Sequence, residues 1–348
     1  MLRLYKQIEK DNIFKLHKIL KYLIFNIWCK ADDEEWKDKA NNKKLFKLLH
    51  YSVKTGVTFE NEIERIYNIF KTLTNEEKAR IKRSWKINND IEKLCTKKLK
   101  PIYLSDLPEV VRNDIKPLFS WCYTYLLNQK EASGDKLDYY KKLISLNEFE
   151  VCPCCGMIDF ELDDSKYREA YDHYLPKSEY PFSSINFKNL VPICYKCNSD
   201  RKGTKNPIEN KRVAFYPFSN SKNHEISIEF KIDKTKDLNK LTKEDIKIVY
   251  KGKDKEIETW DWLFDISKRY NNKVKKYSES MLKRIKNRHK IHLSLNKDIT
   301  YQETIDLMIN EYKEERYTDK NFLRIPLLEV IKNRQDIISV YNKQTTVE

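Results

Sequence analysis

The chain has 348 residues and carries 68 Lys and Arg against 53 Asp and Glu, a formal net charge of +15 at pH 7. This length accommodates two or three domains with sizeable cores. The charge excess favours a polyanionic partner such as nucleic acid, because neutralised phosphates release condensed counterions. The start of the chain lacks the apolar run of a signal peptide, and the most apolar stretch, 19–29, is too short to cross a bilayer. We therefore expect a cytoplasmic protein without membrane spans.

The first part of the chain, 1–148, is predicted to be a helical region. Apolar residues recur at three- and four-residue steps in 13–27 and in 61–72, which is typical of amphipathic helices. Thr74 begins a capping box that predicts a third helix, and a fourth is predicted for about 117–128. A region of this kind is compatible with partner binding, with substrate binding or with bracing of a core. The sequence leaves these roles open.

The central segment contains two Cys-x-x-Cys pairs, Cys152 with Cys155 and Cys194 with Cys197. Two such pairs about forty residues apart are the usual arrangement of a tetrahedral four-thiolate zinc site. Cys154 lies inside the first pair and lacks the required spacing, so it is predicted to be a spare. The alternative, buried thiols without a metal, leaves both paired spacings unexplained. The remaining cysteines are scattered, which suits a reducing compartment.

Polar residues between and after these pairs have the chemistry of phosphodiester hydrolysis, which needs a deprotonated water and neutralised charge at the phosphorus. His173 titrates near neutral pH and is a candidate general base. Asp172 and Asn198 offer oxygen ligands that suit Mg²⁺ or Mn²⁺. Taken singly, each residue also has an ordinary interpretation as a surface or capping group. Their common location favours a catalytic site.

The order Asp172-His173, Asn189-Leu190 and then Cys-x-x-Cys-Asn-x-x-x-Lys-Gly resembles the HNH endonuclease family over about 150–207. The resemblance implies a ββα-metal core braced by zinc, with the first strand bending into a loop so that Asp172 binds the metal and His173 activates water. It also implies that Asn189 orients His173 through its side-chain amide and that Lys202 contacts phosphate. The family often has His at the third position, where this chain has Asn198.

Residues 221–348 are predicted to form a strand pair followed by basic helices. Alternating apolar residues in 225–232 and 245–250 indicate two half-buried antiparallel strands. A helix from about Glu258 has one apolar face, and 268–290 contains ten Lys or Arg against one acid. A charge run is usually a solvated face, but beside a nuclease core we favour contact with the phosphate backbone. The residues assigned to nucleic-acid binding are Lys202, Lys268, Arg269, Lys273, Lys275, Lys276, Lys283 and Arg284.

The predicted fold class is mainly α with a small α+β core: a helical region (1–148), an HNH core (149–220) and a strand pair with a basic helical region (221–348). The predicted function is a metal-dependent HNH endonuclease that cuts nucleic acid, with DNA as the expected substrate although no residue decides between DNA and RNA, and with structural Zn²⁺ and catalytic Mg²⁺ or Mn²⁺. The layout resembles the HNH nucleases of bacterial phage-defence systems such as Septu, which have a partner ATPase. The alternatives are a restriction or mobile-element nuclease, an RNA-cleaving relative, a zinc-knuckle nucleic-acid-binding protein without catalysis, and a partner-binding scaffold.

Overall fold

The computed structural model describes residues 1–129, 131–132, 134–219, 226–242, 244–295 and 298–344. The predicted fold class is confirmed: the described chain is mainly helical, with three two-stranded antiparallel sheets. Among the described helices, none combines the length and the apolar character that crossing a bilayer demands. The chain divides into two compact units, the first formed by Met1, Arg3–Phe149 and Phe160–Lys222, the second by Leu2, Glu150–Asp159 and Asn223–Glu348.

The helices Phe59–Lys71 and Asn75–Asn88 of the first unit begin at side-chain caps and bury their apolar faces. The predicted capping box at Thr74 is confirmed, because the Thr74 hydroxyl accepts a hydrogen bond from the Glu77 amide and the Glu77 carboxylate accepts one from the Thr74 amide. The helices are α1 (Lys15–Tyr22), α2 (Lys43–Phe46), α3 (Phe59–Lys71), α4 (Asn75–Asn88), α5 (Ile91–Cys95), α6 (Lys116–Thr124), α7 (Lys136–Asn147) and α8 (Tyr195–Cys197).

The first unit also contains two hairpins, β1 (Ser52–Lys54) with β2 (Val57–Thr58) and β3 (Tyr171–His173) with β4 (Leu190–Pro192). In the second hairpin Tyr171 pairs with Pro192, Asp172 with Val191 and His173 with Leu190. After β4 the chain enters α8 and continues as a π-helical turn, Asn198–Lys202. The chain order of strand, strand and helix is the predicted one.

The helical region braces the β3–β4 hairpin from within the first unit. The Tyr5 hydroxyl donates to the Pro192 carbonyl at 2.5 Å, and the Tyr171 hydroxyl donates to the Lys136 carbonyl at 3.0 Å. Tyr139 of α7 packs edge-on against Phe187, with ring centroids 4.8 Å apart. Buried aromatic rings whose hydroxyls have backbone partners fix an element firmly. The hairpin is therefore held by side chains far away in sequence.

The second unit contains the predicted strand pair, β5 (Ser227–Ile232) and β6 (Ile246–Lys251), in antiparallel register. The alternation of apolar and polar residues arises because one face of the strand pair is buried, including Ile228, Phe230 and Ile246. Glu225, at the start of the predicted first strand, lies outside the described residues. The helices of this unit are α9 (Asp254–Phe264), α10 (Ile266–Ser294), α11 (Tyr301–Glu314), α12 (Asn321–Lys332) and α13 (Gln335–Gln344).

The single helix predicted from about Glu258 is wrong, because α9 ends and α10 begins at Asp265. Asp265 has left-handed backbone angles, φ 50° and ψ 44°. The Asp261 carboxylate accepts hydrogen bonds from both the amide and the hydroxyl of Ser267, at 2.6 and 2.7 Å, and so binds the first turn of α10. Within α9, Trp260 is buried, whereas Trp262 is half-buried.

Candidate functional site

Four buried cysteines, Cys152, Cys155, Cys194 and Cys197, bring their sulfur atoms within 4.8 Å of one another. A tetrahedral zinc with Zn–S bonds of about 2.3 Å separates its sulfurs by about 3.8 Å, so this spacing fits such an ion. Cys154 is also buried but lies outside the group, as its spacing predicted. These four cysteines are positioned to bind a metal ion.

Two aromatic side chains hold the backbone of the first cysteine pair. The Trp260 indole donates to the Cys154 carbonyl at 2.9 Å, and the Tyr270 hydroxyl donates to the Cys155 carbonyl at 2.9 Å. Both rings are buried, so these bonds are shielded from water. Tyr270 lies on the buried side of its helix, but periodicity carries no information about a hydrogen bond to a residue 115 positions away.

Gly156 makes the turn beneath the first cysteine pair. Its φ is +63°, a backbone conformation that suits glycine. A Cβ atom at this position would lie 2.6 Å from the Phe322 ring and 2.7 Å from Leu2. Both the backbone angle and the packing therefore require glycine.

Asp172 and Lys202 form a buried ion pair with an Oδ1–Nζ distance of 2.9 Å, and their exposed fractions are 3% and 1%. The Lys202 ammonium also donates to the His173 carbonyl at 2.9 Å. Burial raises the pKa of Asp172, and the charge of Lys202 opposes that rise. The second carboxylate oxygen, Oδ2, is buried without a hydrogen-bond partner among the described residues. This orphaned oxygen fits a role as ligand to a divalent cation.

His173 is the last residue of β3. Its backbone pairs regularly with Leu190, so the predicted bend into a loop comes after His173 and not at Asp172. Pairing with β4 keeps the strand extended up to this residue. The ring Nε2 lies 2.9 Å from the Ser184 carbonyl oxygen.

The protonation state of His173 follows from this contact. A carbonyl oxygen only accepts hydrogen bonds, so Nε2 carries the hydrogen and Nδ1 carries the lone pair. Burial lowers the pKa of His173 to about 3, with smaller contributions from the charges of Lys177, Lys202 and Lys136. The ring is therefore neutral at pH 7, and its Nδ1 carries the free lone pair.

Asn189 contacts the loop that follows β3 rather than the His173 ring. Its Oδ1 accepts from the Leu175 amide at 2.8 Å, and its Nδ2 donates to the Leu175 carbonyl at 3.0 Å and the Ser183 carbonyl at 3.3 Å. The predicted hydrogen bond between the Asn189 amide and the His173 ring is therefore absent, and the ring instead contacts the Ser184 carbonyl. Asn189 fixes the loop that supplies this carbonyl.

Asn198 and Lys202 stand at the two ends of the π-helical turn. The Asn198 side chain is half-buried, and no hydrogen bond to its amide occurs within the described ranges, so its oxygen is available as a ligand. The Lys202 ammonium already has two acceptors, Asp172 and the His173 carbonyl. Contact of Lys202 with phosphate stays a prediction.

The basic helix α10 has an apolar side and a charged side. Tyr270, Val274, Met281 and Ile285 are buried, which confirms the predicted apolar face. The basic residues differ in their exposure. Lys268, Lys275 and Lys276 are exposed, as are Lys283, which pairs with Glu279 at 2.9 Å, and Arg284, whereas Lys273 is half-buried and Arg269 donates to the Phe264 carbonyl at 3.2 Å.

An aromatic ring and two lysines near His173 were not predicted from the sequence to belong to the site. The Tyr123 ring meets the His173 ring edge-on, with centroids 4.5 Å apart. The ammonium groups of Lys136 and Lys177 lie 4.7 and 5.5 Å from the centre of the Tyr123 ring. Tyr123 and Lys136 belong to the helical region, so no local pattern connects them with His173.

Parts of the chain are similar to two curated proteins. A 74-residue segment is 40% identical to the Septu protein PtuB of Bacillus thuringiensis and covers 20% of this chain and 26% of that protein. A 94-residue segment is 30% identical to the protein ea31 of Escherichia phage lambda and covers 27% of this chain and 29% of that protein. The chain thus spans less than a third of either relative. No protein-family model and no solved structure matches it.

Proposed function

We propose that the chain is a metal-dependent HNH endonuclease that hydrolyses the phosphodiester bonds of nucleic acid, with DNA as the expected substrate. The observation that carries the proposal is the state of His173. The ring is neutral and its Nδ1 lone pair is directed by the Nε2–Ser184 contact, one residue from the buried Asp172 carboxylate. A positioned, unprotonated imidazole is the group that general-base hydrolysis requires.

In the proposed reaction His173 accepts a proton from the attacking water at Nδ1. Asp172 Oδ2 and the Asn198 amide oxygen would hold Mg²⁺ or Mn²⁺. Both are oxygen atoms that can ligate such an ion, and neither has a hydrogen-bond partner among the described residues. When bound, such an ion neutralises charge on the scissile phosphate and stabilises the leaving oxygen. Lys202 places its ammonium 2.9 Å from Asp172 Oδ1.

Zinc on the four cysteines is the second metal of the proposal. Four thiolates suit Zn²⁺, which in a closed tetrahedral site stabilises the fold. We expect the purified chain to contain about one zinc ion per molecule by elemental analysis, because a four-thiolate site takes one ion. Cys194→Ser is expected to be zinc-free and poorly folded. Folded, zinc-loaded Cys194→Ser protein would overturn the assignment.

For the biological setting we propose bacterial defence against phage, together with a partner ATPase. The partial similarity to the Septu protein PtuB supports this setting, as does the layout of helical region, core and basic helix. The similarity to protein ea31 of phage lambda supports the alternative of a phage or mobile-element nuclease.

A second candidate function is nucleic-acid binding without cleavage. The observation that favours it is the ion pair between Lys202 and Asp172, because the ammonium already neutralises the carboxylate that a catalytic metal would need. In that case the exposed lysines of α10 are the working part of the protein.

The test is cleavage of supercoiled plasmid DNA and of a structured RNA by the purified chain with Mg²⁺, Mn²⁺ or EDTA. We expect metal-dependent cutting that His173→Ala abolishes and that His50→Ala, an exposed histidine outside the site, leaves intact. Cutting that persists in His173→Ala would refute the assigned base. Binding of DNA without cleavage under any of these conditions would favour the second candidate.

A further inference from the structure

The Tyr123 ring is the centre of a cluster that joins two parts of the first unit. Its edge meets His173 at a centroid distance of 4.5 Å. The ammonium groups of Lys136, in α7, and Lys177, in the loop after β3, lie 4.7 and 5.5 Å from the centre of the same ring. Cation–π contacts of this kind hold an ammonium in place without neutralising its charge.

The cluster has more positive than negative charge. The Arg168 guanidinium carbon lies 5.0 Å from the centre of the ring of Tyr171, the residue that precedes Asp172. Of Lys136, Arg168, Lys177 and Lys202, only Lys202 has a carboxylate within 4.0 Å in the part of the chain that the structure describes. Burial, and secondarily the charge of Arg168, lower the pKa of Lys136 to about 8. Like charges held together in a partly buried site favour the binding of an anion.

Lys177 is the member of the cluster that is available to a ligand. The Lys136 ammonium is 7% exposed and donates to the Tyr123 carbonyl at 3.1 Å. Lys202 is 1% exposed and has two acceptors. Lys177 is half-buried, and among the described residues its ammonium makes no hydrogen bond or ion pair.

We propose that Lys177, held by the Tyr123 ring, binds the nonbridging oxygens of the scissile phosphodiester beside His173. This inference rests on the proposed nuclease function and names its phosphate contact. Tyr123 is a positioning residue, since its ring places both Lys177 and the His173 imidazole. The helical region thereby supplies part of the site, through Tyr123 and Lys136.

The first experiment measures binding of a fluorescein-labelled DNA duplex to the full chain in EDTA, by anisotropy over a range of salt concentrations. We expect Lys177→Ala to weaken binding about tenfold, the loss of one charge-assisted contact. The slope of log Kd against log salt should fall by about 0.9, because one phosphate contact is lost. Lys177→Arg, which keeps the charge, should bind like the native chain. Lys47→Ala is the matched control, since Lys47 is an exposed lysine next to α2.

Tyr123 is tested by two variants that separate ring from hydroxyl. Tyr123→Phe keeps the ring and should bind and cleave normally. Tyr123→Leu should weaken binding as Lys177→Ala does, and should also lower kcat because the His173 ring loses its neighbour. Zinc content and circular dichroism confirm that each variant is folded. A Tyr123→Leu chain with native Kd, KM and kcat would overturn the positioning role.

The outcomes separate this inference from the proposed function. If the native chain cleaves DNA and Lys177→Ala matches Lys47→Ala in Kd, salt slope, KM and kcat, the phosphate contact is refuted and the nuclease stands. If the native chain never cleaves but Lys177→Ala still loses affinity and slope, the phosphate contact stands and hydrolysis by the chain alone is refuted.

Discussion

At the scale of single residues, the Lys202–Asp172 pair determines the electrostatics of the candidate site. Removing two charges from water is costly, and their attraction compensates only when the geometry is good. Here Lys202 satisfies both the Asp172 carboxylate and the His173 carbonyl at 2.9 Å. The pair thus ties the π-helical turn to β3, and the charge of Lys202 opposes the rise in the pKa of Asp172 that burial causes.

Lys202→Met tests this pair. We expect the free energy of unfolding to fall by about 3 kcal/mol, because the variant leaves the Asp172 carboxylate buried without its cation. The double variant Asp172→Asn with Lys202→Met removes both charges and should recover part of that loss. Urea unfolding of the two single variants and the double variant measures the coupling. Additive losses would show that the pair does not interact.

Gly156→Ala tests the turn beneath the first cysteine pair. Gly56 is the matched control, since its φ is +70° but a Cβ atom there would meet nothing within 4 Å, whereas at Gly156 it would lie 2.6 Å from Phe322. Both alanine variants suffer the backbone strain, about 1–2 kcal/mol. Gly156→Ala should lose a further 1–3 kcal/mol or so from overpacking. Equal unfolding midpoints for the two variants would contradict the packing argument.

At the scale of secondary-structure elements, the two basic parts of the chain differ in what they would offer to the proposed nucleic-acid substrate. The cluster around Tyr123 has few cations in a partly buried setting beside His173. Helix α10 has a row of exposed lysines and arginines over a buried apolar face. Exposed charges contribute affinity without base specificity, which is the behaviour of contacts to the phosphate backbone.

The α10 lysines are tested by the triple variant Lys268→Ala, Lys275→Ala, Lys276→Ala. If all three contact phosphates, the slope of log Kd against log salt should fall by about 2.7, because each contact contributes about 0.9. The control is Lys43→Ala, Lys44→Ala, Lys47→Ala, which removes the same charge from exposed positions in and next to α2. Equal slopes in the two triple variants would show that the α10 lysines affect binding only through the net charge of the chain and make no phosphate contacts of their own.

At the scale of the whole molecule, two half-buried histidines, His17 and His173, link stability to pH. The His17 ring stacks on Trp85 at a centroid distance of 4.9 Å, and its Nε2 lies 2.9 Å from Asn89 Oδ1. The Asn89 Nδ2 group donates to the Trp85 and Phe182 carbonyls, so Oδ1 is the acceptor and His17 Nε2 is the donor. Burial lowers the pKa of His17 to about 4, despite the opposing hydrogen bond with Asn89.

Acidification should therefore destabilise the fold. Below pH 6.5 the unfolded chain protonates His17 and His173, whereas the folded chain keeps both neutral until about pH 4 and about pH 3. These two histidines leave the free energy of unfolding unaffected above pH 6.5. As the pH is lowered below 6.5, each histidine reduces the free energy of unfolding by up to about 1.4 kcal/mol per pH unit. Urea unfolding between pH 7 and pH 4.5 measures this slope. His17→Gln should reduce this slope by the contribution of one proton. An unchanged slope would show that His17 does not contribute to the pH dependence of stability.

The sequence by itself determined the features that arise from neighbouring residues. Cysteine spacing selected the four cysteines that converge and excluded Cys154, since two sulfurs of a pair must share one turn. The capping box at Thr74 and the β5–β6 alternation were also predicted, because hydrogen bonds over three residues and a period of two are local properties. The mainly α fold class followed from composition and periodicity together.

Only the tertiary structure decided which distant side chains share the site. Lys202 reaches a carboxylate 30 positions away, Asn189 binds the Leu175 backbone, and Tyr123 lies against His173. Sequence pattern could not separate α9 from α10 either, because the apolar spacing continues across Asp265 while its backbone turns left-handed. Packing between remote segments sets these contacts, and periodicity reports only which face of an element is buried.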